Sequence, residues 1–231
     1  MPGEVAIVTG GTGALGQAIT LRFLEEGATV WVPYIVPAER ETLVARIGKA
    51  DRGRGLIEEC NVANPGEMDR FVVRIVRAHS RVDVLVTAVG GFAGGPLVST
   101  DLATWEQQLT MNLTSAFVAA RAVVPRMIAG RYGRVVMVAS RAVLPPRGGF
   151  IAYTVSKAGV VALVQALSEE TREHGITVNA VAPSTMDTPA NRAAMPDVDP
   201  KTWVPVESVA GAVAFLARRD ASHVTGTVLQ I

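Results

Sequence analysis

Short apolar runs rich in β-branched residues recur along the chain, alternating with longer stretches in which apolar residues return every three to four positions. The runs VAIVT (5–9), ATVWV (28–32), GLIEEC (55–60), VDVLVT (82–87), GRVVMVAS (133–140) and ITVNAVAP (176–183) predict strands, and GTVLQI (226–231) a seventh. Helices are predicted near 14–26, 38–48, 65–79, 101–129, 151–174 and 207–218. Local signals agree: Asn64-Pro65 opens one helix, Gly27 and Gly175 close two others, and His174 stands where a helix dipole favours a cation. The strands are apolar at nearly every position, which implies burial on both faces. Strict alternation then points to an α/β fold, a doubly wound parallel sheet of about seven strands with helices on each face, in three layers. No proline- or serine-rich linker divides residues 1–231, so one domain is expected.

Composition narrows the classes. With 49% hydrophobic and 19% charged residues among 231, the chain can bury a large core. The net charge of +1, with no basic run longer than two residues, lacks the footprint of a nucleic-acid binder. A single cysteine, Cys60, excludes an internal disulfide, and His79, His174 and His223 are too scattered to hold a metal. The N-terminal segment leads directly into EVAIVTG without a basic leader, and no uninterrupted apolar run approaches the ~18–20 residues of a membrane span. A soluble cytoplasmic protein without membrane contact is expected.

Two glycine-rich stretches follow predicted strands, where ligands bind in such a sheet. TGGTGALG (9–16) contains a literal GxGxxG between strand and helix, the Rossmann-type setting of a dinucleotide fingerprint. Gly10, Thr12, Gly13, Ala14, Leu15 and Gly16 would bring the backbone and free N–H groups of a helix N-terminus to a pyrophosphate. TAVGGFAGG (87–95) is as rich in glycine, but no helix follows it directly. Its Gly90 and Gly91 should pass close to the ribose and nicotinamide side of a cofactor, and Phe92 to Gly95 should turn toward substrate.

A second constellation carries acid–base chemistry. Tyr153 and Lys157, four apart on a predicted helix, share a face. Lowering a phenol pKa from ~10 to about 7 takes ~4 kcal/mol, and a cation at ~4 Å supplies a similar amount at an effective dielectric of ~20. Lys157 can thus tune Tyr153 for proton transfer. Ser140, ending the preceding strand, is placed to polarise a carbonyl in the same pocket.

In TGGTGALG, VDVLVTAVG, MNLTSAF, VVMVAS, YTVSK and NAVAPSTMDTP, in that order, the chain resembles the short-chain dehydrogenase/reductase family along nearly its whole length. The resemblance implies hydride transfer between a nicotinamide cofactor and a carbonyl or alcohol substrate. Tyr153 would be the general acid/base, Ser140 the carbonyl orienter, Lys157 the ribose anchor and Asn112 the holder of a proton-relay water. It also implies cofactor contacts at Tyr34, Asn61, Val62, Ala88, Val89, Gly90, Pro183, Ser184 and Thr188. The long helical segments, with Trp105 and Phe117, correspond to those that join subunits in the family, so a homotetramer or homodimer is expected; burial within one subunit is the competing account.

The chain departs from the family pattern at three places. Thr87, Ala88 and Val89 replace the two asparagines and alanine that usually precede glycine, so the usual polar support of the sheet is either absent or replaced by the Thr87 hydroxyl. Ser184 replaces the glycine after Pro183, and Asn61 the usual adenine-side acid. The cofactor is NAD(H) or NADP(H). At the end of strand two, Tyr34 and Ile35 offer neither an acid for the ribose diol nor a base for a 2′-phosphate. The lack of a basic residue in the first glycine loop favours NAD(H), while Arg40 is either a phosphate ligand or part of a solvated helix face.

On the substrate side, AVGGFAGG and TMDTPANRAAMPDVDPKTW (185–203) are similar to loops of dihydropteridine reductases, a branch of the same superfamily. Ser140 and Asn112, on which that branch does not typically rely, are both present. Ordinary carbonyl reduction or alcohol oxidation is therefore the leading expectation and pterin reduction the alternative. Phe92, Met186 and Trp203 join Ser140 as candidate substrate-lining residues, with loop packing as the competing role.

Overall fold

The computed structural model describes residues 1–231. Seven parallel strands form the central sheet: β1 (Val5–Thr9), β2 (Thr29–Tyr34), β3 (Gly55–Glu59), β4 (Val84–Thr87), β5 (Gly133–Val138), β6 (Ile176–Ala182) and β9 (Val228–Gln230). Their order is β3-β2-β1-β4-β5-β6-β9, reversing direction between β1 and β4. That reversal opens a crevice at the carboxyl ends of the strands. The register aligns those ends, with Thr9 beside Thr87, Thr87 beside Met137, and Val138 beside Val181.

The period-2 geometry of a strand divides the apolar residues between two cores. Ile7, Leu85, Met137 and Val178 face helices α3 (Pro65–His79), α5 (Ser115–Gly130) and α6 (Ile151–Thr171), where Phe71, Met127 and Val160 complete one cluster. Val8, Val32 and Val86 face α1 (Ala14–Glu25), α2 (Pro37–Arg46) and α8 (Val206–Ala217), with Phe23, Leu43 and Val213. Each such side chain, fully buried, contributes about 1.5–3 kcal/mol of transfer free energy. The three-layer prediction is met. Departures from burial on both faces gather toward the sheet edges: β3 is half-buried with Glu59 exposed, Thr29, Trp31 and Tyr34 of its neighbour β2 are half-buried, and Leu229 and Gln230 of β9 are exposed.

Two segments differ from the sequence expectation. The single helix predicted over 101–129 is α4 (Leu102–Leu109), a π turn (Thr110–Thr114) and α5, a widened turn that hydropathy periodicity does not register. Residues 185–203, read as a loop, contain β7 (Met186–Asp187) and α7 (Pro189–Ala194), and β7 pairs with β8 (Val204–Pro205). The helical stretches Leu102–Gly130 and Ile151–His174 are long and apolar enough to cross a membrane by length and composition, although polar residues interrupt both. In the fold their apolar sides pack on the sheet.

Candidate active site

The first glycine loop joins β1 to α1, and its glycines do different work. A Cβ on Gly16 would lie 2.0 Å from the Gly10 carbonyl oxygen, and one on Gly11 would strike the Val32 side chain at 2.7 Å. These two glycines let the helix pack onto its own strand. At Gly13 the nearest heavy atom is 3.5 Å away, an ordinary contact distance, so packing does not require glycine there and its lack of a side chain bares the backbone at the helix mouth. No side chain caps α1 and no acid occupies its first turn, which leaves its N–H groups and positive dipole end for an anion. Gly10, at φ +68°, abuts Ala88 and Val89 of the second glycine stretch at under 3 Å from its notional Cβ. Leu15 is buried in the core, so its contribution to a ligand there is main-chain only.

A polar chain crosses this end of the sheet. Thr12 Oγ1 donates to Glu39 Oε2 at 2.8 Å, Gln17 Nε2 donates to the Thr12 carbonyl at 2.7 Å, and Arg46 donates to Gln17 Oε1 at 2.8 Å. At the end of β2 the Arg40 guanidinium lies over the Tyr34 ring, 5.7 Å from its centroid. Asn61 is exposed, and its Oδ1 accepts from the Ala63 N–H at 3.0 Å. Val62 is buried in the core.

The catalytic candidates converge one strand further along. Ser140 stands two residues beyond β5, where its hydroxyl accepts from the Ala142 N–H at 3.2 Å and lies near enough to Tyr153 of α6 to bear on its pKa. Burial raises the Tyr153 pKa above its ordinary value, and the nearby Ser140 hydroxyl acts in the opposite direction. Lys157, one turn along α6, is buried and donates to the Val138 carbonyl at 2.8 Å; desolvation lowers its pKa to about 8. The lowering expected of Tyr153 from Lys157 is thus absent from this arrangement. Here burial dominates both groups, favouring their neutral forms. A Cβ on Gly90 would meet Lys157 Nζ at 3.1 Å and Asn112 Oδ1 at 2.9 Å, so bare backbone is needed beside the lysine.

Asn112 is buried in the π turn, and its amide is fully engaged. Its Oδ1 accepts from the Gly91 N–H at 3.0 Å, and its Nδ2 lies 3.1 Å from the Gly91 carbonyl, Gln108 Oε1 and Ser156 Oγ. Ser156 in turn donates to the Tyr153 carbonyl at 2.8 Å. The side chain therefore clamps the second glycine stretch to α6. At this point of the sheet Thr9 Oγ1 reaches from β1 to the Val86 carbonyl of β4, at 3.4 Å.

On the substrate side, Phe92 packs edge-on against Tyr153 with ring centroids 5.1 Å apart, and Phe150 lies 5.6 Å from Phe92 and 6.2 Å from Tyr153. Phe92 remains 64% exposed. Trp203 is buried, and Met186 is half-buried against the core beneath α1 and α8. Of the three, only Phe92 is presented at Tyr153. Thr188 caps α7, accepting from the Asn191 N–H at 3.2 Å. Pro183 and Ser184 are tied by their main chains to Arg141 and Ile231 at 3.0 and 2.8 Å.

A family model described as short chain dehydrogenase matches residues 4–199. The chain belongs to this family. As a short-chain dehydrogenase it is an NAD(P)-dependent oxidoreductase. It is 32% identical to 3-oxoacyl-[acyl-carrier-protein] reductase FabG of Thermotoga maritima, over 100% of this chain and 97% of that one. It is 33% identical to the (2S)-[(R)-hydroxy(phenyl)methyl]succinyl-CoA dehydrogenase subunit BbsD of Thauera aromatica, over 99% and 94%. Among solved structures, levodione reductase superposes with a TM-score of 0.92 at 26% identity, covering 100% of this chain and 96% of the other.

For this short-chain dehydrogenase, the structure brings Ser140, Tyr153, Lys157 and Asn112 into one region at the crevice, with the two glycine stretches beside them. Sequence reasoning missed Gln108, Phe150 and Ser156. Ser156 stood inside the quoted YTVSK motif, and its position three residues after Tyr153 on the same helix was the available signal. Glu39 was also missed. Nothing in the local sequence tells that a side chain on the first turn of α2 reaches the loop before α1.

Proposed function

We propose that this enzyme transfers a hydride between NAD(H) and a carbonyl or alcohol substrate with a bulky apolar or aromatic substituent. The carrying observation is the convergence of Ser140 and Tyr153 at the carboxyl end of the sheet, with the exposed Phe92 ring packed on Tyr153. The dinucleotide suits the first glycine loop, whose residues 10–16 include no lysine or arginine to clamp a 2′-phosphate. When bound, the nicotinamide supplies or accepts the hydride at the substrate carbon.

The chain's own residues handle the proton. In the reducing direction Tyr153 donates its phenolic proton to the carbonyl oxygen, and the Ser140 hydroxyl orients that oxygen through a hydrogen bond. Its pKa, raised by burial, keeps Tyr153 protonated for this role. Lys157, held by the Val138 carbonyl, lies beside Gly90, where it is placed to donate to ribose hydroxyls. Asn112 fixes Gly91 and, through Ser156, the first turn of α6. Phe92 and Phe150 wall the substrate against the tyrosine.

The similar proteins whose names specify 3-oxoacyl and aryl-substituted thioester substrates support a substituted ketone or its alcohol. The enzyme is further proposed to act as a homotetramer or homodimer through α4–α6, where Leu102, Phe117 and Val155 remain exposed; light scattering of the purified protein checks it. Turnover of NADH with 3-oxoacyl thioesters, aryl ketones and quinonoid dihydropterin tests the main reading. Tyr153→Phe should lower turnover at least ~100-fold with the ketone or thioester. Pterin turnover with inert ketones would replace this substrate class by the pterin alternative, and activity unchanged by the substitution would refute the assignment of Tyr153.

A further inference from the structure

We infer that Glu39 sets the choice of dinucleotide, accepting from the 2′-hydroxyl of the adenosine ribose of NAD(H) and repelling the 2′-phosphate of NADP(H). The inference rests on the reading that residues 10–16 bind the dinucleotide. It adds a determinant where the strand end supplies none.

The position of Glu39 is the first argument. Thr12 lies midway along the first glycine loop, and its hydroxyl donates to Glu39 Oε2 at 2.8 Å. Glu39 is itself exposed, which leaves the second carboxylate oxygen free to accept from a ligand. A carboxylate is an acceptor-only group with capacity for several donors, so satisfying Thr12 does not exhaust it. A ribose diol supplies such donors, whereas a phosphate at the same place is a second anion.

The second argument is that this carboxylate is held in place. Gln17 from α1 binds the Thr12 carbonyl and receives a hydrogen bond from Arg46 at the far end of α2, at 2.7 and 2.8 Å. Helix α2 is thereby tied to α1 and the loop, so Glu39 on its first turn is carried by a fixed element. The end of β2, by contrast, offers Tyr34 followed by the apolar Ile35 and Val36, which are 65% and 42% exposed. No acid comes from the strand, and the anion is supplied instead from the first turn of the following helix.

Arg40 is the competing group. Its guanidinium lies on the Tyr34 ring and its Nε is enclosed without a partner, so it could turn to clamp a phosphate. Glu39 is already bonded to the loop where the ribose end of the dinucleotide must pass, and Arg40 is engaged on the ring beside it. The geometry favours the carboxylate.

Equilibrium titration of the full-length protein with NADH and with NADPH, following nucleotide fluorescence, tests this without turnover. The wild type should bind NADH at least tenfold more tightly. Glu39→Gln, at an exposed position, should keep the thermal midpoint and shrink that ratio at least fivefold, chiefly by tightening NADPH. Thr12→Val, which frees the carboxylate, should shrink it in the same direction. Equal wild-type affinities, or a ratio unchanged in Glu39→Gln, would overturn the inference and leave the oxidoreductase reading intact. A selective loss of NADPH binding in Arg40→Ala exceeding tenfold would overturn it in favour of the arginine. Failure of the wild type to bind either nucleotide would sink both readings.

Discussion

The ammonium of Lys157 donates to the main-chain carbonyl of Val138 at 2.8 Å, joining α6 to the last residue of β5. No carboxylate shares this buried site with it, and burial alone lowers its pKa to about 8. The lysine is thus an expensive group that the fold tolerates for its position.

A pH dependence follows with a definite sign. The unfolded chain holds the Lys157 proton up to about pH 10.4, whereas the folded chain releases it from about 8. Between those values the unfolded state binds more protons, so the stability contribution of this group rises with pH. Cys60 and Tyr132, raised by burial to about 11 and about 12, act in the opposite direction above their unfolded values. Comparison with Lys157→Met isolates the lysine. Urea midpoints measured from pH 7 to pH 10 should show the wild type gaining on the variant, by about 3 kcal/mol at most. Parallel curves would show that Lys157 titrates normally.

The Asn112 amide predicts a stability and a kinetic effect together. Asn112→Ala removes its links to Gly91, Gln108 and Ser156 and leaves buried groups unpaired, at about 1–3 kcal/mol for each group left unsatisfied. Thermal unfolding should report the loss. Ser156→Ala removes one of these links and should cost less, while reducing kcat more than it raises KM, because it frees the first turn of α6. Equal stability of both variants to the wild type would show that the clamp is incidental.

Backbone crowding in the first glycine loop predicts a severe effect from a single methyl group. Gly16→Ala places a Cβ 2.0 Å from the Gly10 carbonyl oxygen, against backbone. Relief requires α1 to move off the sheet, so a destabilisation of about 3 kcal/mol or more is expected in chemical denaturation. Gly13→Ala, where the nearest atom is 3.5 Å away, should retain the fold and weaken dinucleotide binding instead. The two variants separate packing from ligand access.

Phe92 lies on Tyr153 yet is mostly exposed, so its loss should show in substrate handling. Phe92→Ala is expected to change stability by less than about 1 kcal/mol and to raise KM about tenfold for aryl or long acyl substrates, equivalent to about 1.4 kcal/mol. Steady-state kinetics with a small ketone should be nearly unaffected. A uniform fall in kcat for all substrates would instead mark the ring as a support for the tyrosine.

Hydropathy and local signals alone determined the layered fold, the strand positions, the GxGxxG setting and the spacing of Tyr153 and Lys157. Each depends on contacts close along the chain or on a short period that burial imposes on a strand or helix. The tertiary structure alone decided the rest. The π turn that inserts Asn112 between Gly91 and Ser156, the placement of Phe150 beside Phe92, and the reach of Glu39 to Thr12 join residues separated by 21 and 44, 58, and 27 positions. The expected lowering of the Tyr153 pKa failed for the same reason. Helical spacing places a lysine on the correct face, but the carbonyl it binds and the depth to which both groups sink are set by how α6 packs onto β5, and desolvation there outweighs the proximity that the spacing suggests.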